Sequence, residues 1–358
     1  MRSWMLMLIV LLCGCPKGTT DGPPAKGTPT PVPVWSQSIS VCSDGVHLCP
    51  EGEGPAWLRG YSDYGAFSLP YDYEKWMDVL FAHRIRLLRE WACPFDLTWG
   101  GEQPFSFKNG HPILNETFFQ NADRFLNEAA RRRMFVLVDL TDHYNVQNKN
   151  FVNNPLNKTH GGPLTRGLPD MYSSPEILEM VSLTVHRLKD HRNLIFECAN
   201  EPSGYSSIEQ INNFHKNIVQ VVRSVHGPSD YRLVAVNPVP DSKGRPTVPL
   251  PQEVGADLVF LHGASIENPK DVGTCTAAAI SKRLNFLQAL LKVPIVNDDD
   301  GTHDRKNPCN RYDLNVLEAL VQGSLGVAGY NHKGQEPHSS PIPDVSEKEL
   351  QLLKDAVH

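Results

Sequence analysis

Residues 117–140 read Thr117-Phe-Phe-Gln-Asn-Ala-Asp-Arg-Phe-Leu-Asn-Glu-Ala-Ala-Arg-Arg-Arg-Met-Phe-Val-Leu-Val-Asp-Leu140. Over the first sixteen, Phe118, Phe119, Ala122, Phe125, Leu126 and Ala129 recur at steps of three and four, so they share one helical face. From Met134 the pattern changes to an unbroken apolar run of strand length. A helix handing over to a buried strand is half of a βα unit, and the question is how often the chain repeats it.

It repeats from about residue 55 onward. Short apolar runs predict strands over 57–61, 85–91, 134–140, 194–199, 232–236, 257–262, 293–297 and 325–330. Longer amphipathic segments predict helices near 73–83, 117–132, 175–190, 207–226, 278–291, 311–322 and 346–356. Eight strands alternating with helices over about 300 residues predict an α/β protein of the (β/α)8 TIM-barrel type. A doubly wound open sheet is the competing arrangement, but the Gly-x-Gly-x-x-Gly phosphate turn that it often carries is missing after the first strand. A barrel concentrates chemistry at the C-terminal ends of its strands, so polar residues there are the ones to weigh.

Composition narrows the function classes. The 358 residues carry 34 Lys+Arg against 40 Asp+Glu, a net charge of −6, which argues against a partner bound by phosphate neutralisation. With 40% hydrophobic and 21% charged residues the chain is neither fibrous nor disordered in bulk.

The first residues follow a different logic. Arg2 and the apolar run Trp4–Leu12 form a signal-like segment too short to span a bilayer as a helix. The run ends Leu12-Cys13-Gly14-Cys15, which resembles a bacterial lipobox. That resemblance implies a signal peptide over 1–14, lipidation of Cys15, and export to a lipid-anchored place on the cell envelope. Residues 15–35 are Pro/Gly/Thr-rich and read as a tether, leaving 36–358 for the barrel domain. Membrane contact is then expected through the lipid alone. Cys42 and Cys49 flank a Ser-Asp-Gly turn and are placed to close a local loop; Cys275 and Cys309 are a plausible second pair in loops. Cys93 and Cys198, at strand ends, read as buried thiols. No Cys-x-x-Cys pair supports a zinc site.

The fourth strand ends Phe196-Glu197-Cys198-Ala199-Asn200-Glu201-Pro202. An Asn-Glu pair leaving a strand sets an amide and a carboxyl at the barrel mouth, and a carboxyl so placed can protonate a glycosidic oxygen. The bland alternative is a strand-to-helix turn, which favours the same residue types. The motif resembles the fourth-strand signature of the cellulase family, glycoside hydrolase family 5, within the larger clan A of retaining barrel glycosidases. Supporting points are Leu58-Arg59-Gly60, Asp139-Leu140-Thr141-Asp142-His143, and Asp257 through His262. The resemblance implies Glu201 as general acid/base and Asn200 as binder of a sugar 2-hydroxyl. It further implies Arg89 as support for the nucleophile, with His143 and His262 lining the substrate site. No cofactor is implied, because two carboxyls suffice.

The resemblance breaks on the seventh strand. The family places a Glu nucleophile there, whereas this chain reads Pro294-Ile-Val-Asn297-Asp298-Asp299-Asp300-Gly301. Spacing from Pro294 and the following x-Gly select Asp299; Asn297 read as the preceding residue selects Asp298. Three outcomes stay open: an Asp nucleophile, an Asp base with inversion, or a glycan-binding barrel with impaired catalysis. A metal held by the three consecutive Asp is disfavoured, because neighbours on a strand point to opposite faces. Trp91, Trp99, Phe105, Tyr144, Tyr205 and Tyr330 fall at or after strand ends, where rings can stack on sugars. Tyr330 stands where the family commonly has Trp, and Trp57 and Trp76 read as packing. The expectation is a glycosidase taking an oligo- or polysaccharide substrate and no nucleic acid.

Overall fold

A computed structural model of the chain describes residues 37–332, less 57, 59, 63–64, 70–71, 83, 203–206, 241–245, 263–276 and 300–326. For residues 62, 148–149, 239–240, 246–248, 262, 277–281, 283–284, 297–299 and 327–332 the backbone alone is described. The signal, tether and lipidation expectations at 1–35 lie outside the described residues, as do Tyr205, Cys275, Cys309 and the helices expected at 311–322 and 346–356.

Eight strands close a barrel. They are β1 (Gly60–Ser62), β2 (Leu87–Trp91), β3 (Phe135–Asp139), β4 (Leu194–Glu197), β5 (Leu233–Val236), β6 (Leu258–His262), β7 (Ile295–Asp299) and β8 (Val327–His332). Every barrel pairing is parallel and joins consecutive strands, with β8 returning to β1. Each strand overlaps its expected position. The described helices of the outer layer are α1 (Tyr73–Ala82), α2 (Glu116–Arg131), α3 (Pro175–Leu188), α4 (Ile208–Val225) and α5 (Ala277–Leu291).

Local chemistry explains where these helices start. The Asn115 side chain caps α2 by accepting from the Thr117 amide, and Ser207 with Gln210 forms a reciprocal capping box on α4. The apolar stripe of α2 is buried as its spacing predicts, with Phe125 edge-on to Phe67 and Tyr73.

Strand alternation divides the core in two. One set, including Leu88, Val136, Val138, Phe196, Val234, Leu261 and Ile295, packs with the helices. The other, including Leu87, Leu137, Ile195, Leu233, Phe260 and Val296, forms a separate buried cluster within the barrel.

An antiparallel hairpin, Ile39–Val41 with Leu48–Pro50, was not expected as strand. Its Ile39 and Leu48 join the inner cluster beside Leu58 and Leu87, so it closes the barrel floor. Cys42 and Cys49 are disulfide-bonded, with Cα atoms 5.2 Å apart, as their spacing suggested. Glu53–Arg86 at 2.9 Å and Glu51–Arg192 at 3.2 Å tie the hairpin's exit to the turns that enter β2 and β4.

Candidate active site

Near the C-terminal ends of the strands the barrel interior turns from apolar to charged. Arg89 on β2 is fully buried, and its guanidinium lies 4.4 Å above the Phe260 ring. Its Nε donates to Glu197 Oε2 at 3.1 Å, and Nη2 lies 2.8 Å from Asp139 Oδ2. Nη2 also donates to Asn200 Oδ1 at 2.8 Å. The planar fork of Arg suits this meeting of strands β2, β3 and β4, which the single ammonium of Lys would not serve.

Asn200 sits three residues beyond β4, where a parallel bridge to Asp142 continues the pairing with the β3 exit. Its amide donates to the Thr141 carbonyl at 2.8 Å, and its carbonyl accepts from the His143 amide at 3.0 Å. The side chain is pinned at both ends. Oδ1 accepts from Arg89, while Nδ2 donates to Asp142 Oδ1 at 2.9 Å. Because Arg89 only donates, the amide has one orientation that satisfies both neighbours.

Asp142 is buried beneath this bridge. Besides Asn200, it accepts from the backbone amides of Tyr144 at 3.1 Å and Asn145 at 3.2 Å, and from the Asn145 side chain. Burial pushes its carboxyl up to about 7; hydrogen bonds from Asn200 and Asn145 oppose the shift, and the charges of Glu201 and Asp139 add to it.

Glu201 follows, half-buried, with φ at +44°. A left-handed backbone is uncommon for a residue with a Cβ, and the Pro202 that follows restricts it further. Such strain persists where the surroundings over-determine a conformation, and it clusters at functional positions. The backbone bonds that fix Asn200 supply that constraint.

On the far side β6, β7 and β8 run in parallel register. His262 pairs with Asp298, Asp298 with Tyr330, and Asp299 with Asn331. Ile295 belongs to the helix-facing cluster and Val296 to the inner one.

Two expected contacts are corrected. His143 does not line an open site: it is fully buried, its ring packs on Tyr172, Phe214 and His215, and the Tyr172 hydroxyl lies 3.0 Å from Nδ1. The chain turns at Asp142, so the next side chain faces the helical layer. Burial holds this imidazole well below its ordinary range. Trp91 is also buried, with Trp99 stacked on it at 5.6 Å between ring centroids. Trp99 also stacks on Phe95 and keeps part of its surface open, so the outer ring is the one available to a ligand. Arg89 has no exposed surface and bears on the mouth through Asn200.

Asp139, Asp142 and Glu197 were quoted in the sequence motifs without a role. The signal was present: a charge inside a run such as Leu-Ile-Phe-Glu must find a buried partner, and Arg89 in Leu-Leu-Arg-Glu-Trp is the complementary case.

Residues 95–246 match the family described as Cellulase (glycosyl hydrolase family 5). No curated protein matches the chain. Among solved structures, an endo-1,4-beta-mannanase from Rhizomucor miehei has a TM-score of 0.61 at 14% identity, covering 89% of this chain and 98% of that one. A beta-mannanase from the blue mussel Mytilus edulis gives 0.58 at 13% identity, over 89% and 96% of the two chains. A GH5-4 broad specificity endoglucanase from an uncultured bacterium gives 0.57 at 12%, over 88% and 95%. At these identities the likeness establishes the barrel fold.

Proposed function

We propose that the chain is a glycoside hydrolase that cleaves a β-linked glycan, with Glu201 as general acid/base and Asp298 or Asp299 as the partner carboxylate. The observation that carries this reading is the Asn200-Glu201 pair. An oriented amide and a carboxyl on a left-handed backbone follow β4 together, inside the segment that matches family 5.

The chemistry follows from the parts. Glu201 gives its proton to the departing glycosidic oxygen as positive charge develops on the anomeric carbon. The remaining N–H of the Asn200 amide donates to the sugar 2-hydroxyl. With the partner carboxylate about 5–5.5 Å from Glu201 the reaction retains configuration; at about 6.5–9.5 Å a water enters and it inverts. An Asp is one methylene shorter than Glu, so the β7 backbone must approach more closely for direct attack. A second reading, a glycan-binding barrel with impaired turnover, rests on that same substitution. The structures this chain resembles include mannanases and an endoglucanase, so β-1,4-mannan and β-1,4-glucan are the first substrates to offer. We also propose that Cys15 carries lipid and anchors the exported protein to the cell envelope.

The test is hydrolysis of a panel of β-glycans and aryl β-glycosides by the unmodified protein and by Glu201→Gln. Turnover that the substitution lowers by at least about a thousandfold supports the enzyme. Binding without cleavage of any member sinks it and supports the second reading. NMR of the first-formed anomer then decides retention or inversion.

A further inference from the structure

We infer that the barrel floor, the face opposite the candidate site, docks on an anionic lipid surface through Arg84, Arg133 and Lys292. Its place in the cell rests on the reading of Cys15 as a lipid anchor, whereas the cationic face belongs to the folded domain.

The backbone singles these residues out. Among the described residues, five other than glycine have a left-handed φ. Asn109 turns a hairpin and Glu201 stands at the mouth; the other three are Arg84, Arg133 and Lys292, at +60°, +55° and +54°. Each lies one or two residues past a helix (α1, α2 or α5) and two or three before a strand (β2, β3 or β7). All three are exposed. Glycine is the usual residue where a helix ends in this conformation, and the chain uses it at Gly255, behind the short helix Pro251–Val254. At the other three junctions a basic residue holds a backbone that a Cβ disfavours. A cation near the last helical carbonyls is favourable. Yet α2 already carries Arg131 in its last turn and Arg132 at its cap, so its end alone leaves Arg133 unexplained.

Helix-to-strand junctions all open on the floor, and contacts join these three to one another through the N-terminal hairpin. Arg86, in the junction of Arg84, donates to the Arg133 carbonyl at 3.2 Å and forks onto Glu53 at 2.9 and 3.1 Å. Gln288, one turn before Lys292, donates to the Val46 carbonyl at 3.3 Å. The floor carboxylates are engaged: Glu53 by Arg86, Glu51 by Arg192, Asp44 by the His47 ring and Asp230 by Arg232. Asp190 has Lys189 beside it in the chain. None of the ion pairs among the described residues engages Arg84, Arg133 or Lys292, although Arg133 acts on Glu53 at longer range. Three cations therefore stay available on one face of a chain whose net charge is −6.

The occupant follows from where the N-terminal segment joins the domain. Gln37 opens the floor hairpin, its side-chain amide donating to the Glu51 carbonyl at 2.8 Å and to Glu53 at 2.9 Å. The 21 residues between Cys15 and Gln37 have a length that reaches about 25 Å as a flexible coil and about 65 Å as extended polyproline. A lipid on Cys15 therefore brings the floor to the phospholipid headgroups first, at an effective concentration where weak attraction suffices. Each Lys or Arg close to an anionic surface adds about fivefold to binding. Docked in this way, the Asn200-Glu201 pair opens away from the membrane, toward glycan.

The experiment is flotation with vesicles of phosphatidylcholine, alone or in equal parts with phosphatidylglycerol. It compares the full chain carrying Cys15→Ser, which has no lipid, with the same chain also carrying Arg84→Gly, Arg133→Gly and Lys292→Gly. The apolar run Trp4–Leu12 is common to both, so binding through it cancels. The first chain should prefer the anionic vesicles by at least about tenfold at low salt, and the preference should vanish at about 1 M salt. The glycine set should lose at least about fivefold of that preference while melting no lower, because glycine suits a left-handed backbone. Glutamine at the three positions should lose it equally with the Cβ kept. Variants that bind as before show that the three residues serve their helix ends alone and overturn the proposal. Equal binding of the first chain to both kinds of vesicle overturns it too. Mass spectrometry of the unsubstituted protein reads the anchor separately: Cys15 without lipid refutes the anchor and leaves the floor's preference for anionic lipid standing.

Discussion

Arg89 on β2 and Glu197 on β4 meet across the intervening strand β3, Nε to Oε2 at 3.1 Å, with no solvent-accessible surface on either side chain. Breaking a buried pair from one side strands the other charge, which typically costs about 3–5 kcal/mol. Arg89→Met should lose stability on that scale in urea denaturation. Arg89→Lys should also be destabilised, because one ammonium cannot reproduce the bonds to Glu197, Asp139 and Asn200. A change below about 1 kcal/mol in Arg89→Met would remove the pair from the account of the fold.

The buried histidines predict acid sensitivity. Burial lowers His215 from 6.5 to about 4, so between those values the unfolded chain binds a proton that the native state does not. Stability from this group is therefore full above about 6.5 and is lost as pH falls toward 4, a total of about 3 kcal/mol. His143 is shifted the same way and deepens the loss. His215→Phe should flatten that part of the stability profile measured by denaturant midpoints; an unchanged slope would contradict a neutral buried His215.

The floor disulfide predicts a loss of stability that leaves the chemistry intact. Opening a loop as short as that from Cys42 to Cys49 should cost about 2–3 kcal/mol. Cys42→Ser with Cys49→Ser should lower the melting temperature while kcat of the folded fraction stays within about twofold. A large fall in kcat at a temperature where the variant is folded would show that the floor communicates with the mouth.

Trp99 predicts a binding effect. It is the partly open member of the stack with Trp91 and Phe95, so Trp99→Ala should raise KM for oligosaccharides about tenfold with a smaller change in kcat. Equal kinetics for short and long substrates would place the ring outside the glycan path.

The barrel was legible because its strands are apolar on both faces, which makes 134–140 or 194–199 stand out from their helical flanks. Strand ends were less legible. β7 and β8 run two residues past their expected limits because Asp298, Asp299, Asn331 and His332 do not look like strand, yet they sit in register. The two-stranded hairpins among the described residues, Ile39–Val41 with Leu48–Pro50, Phe105–Lys108 with His111–Leu114 and Val239–Pro240 with Pro246–Val248, escape the sequence reading because strands of two to four residues are too short for alternation to register. At the site, Asn200 and Glu201 were found from their place in a motif. The misplacement of His143 and Trp91 has a different cause. Which face a residue takes just beyond a strand depends on where the chain turns, and whether a ring is covered depends on a loop arriving from elsewhere, here Trp99.

The backbone of Glu201 has its own implication for what selection can see. A position at φ +44° is easiest for Gly, and easier for Asn or Asp than for Glu. A library randomised at 201 and sorted only for folded protein should therefore enrich Gly. The same library sorted for glycan turnover should enrich Glu. The divergence between the two lists at this one codon would measure how far the protein departs from its most stable sequence in order to keep a proton donor at the barrel mouth.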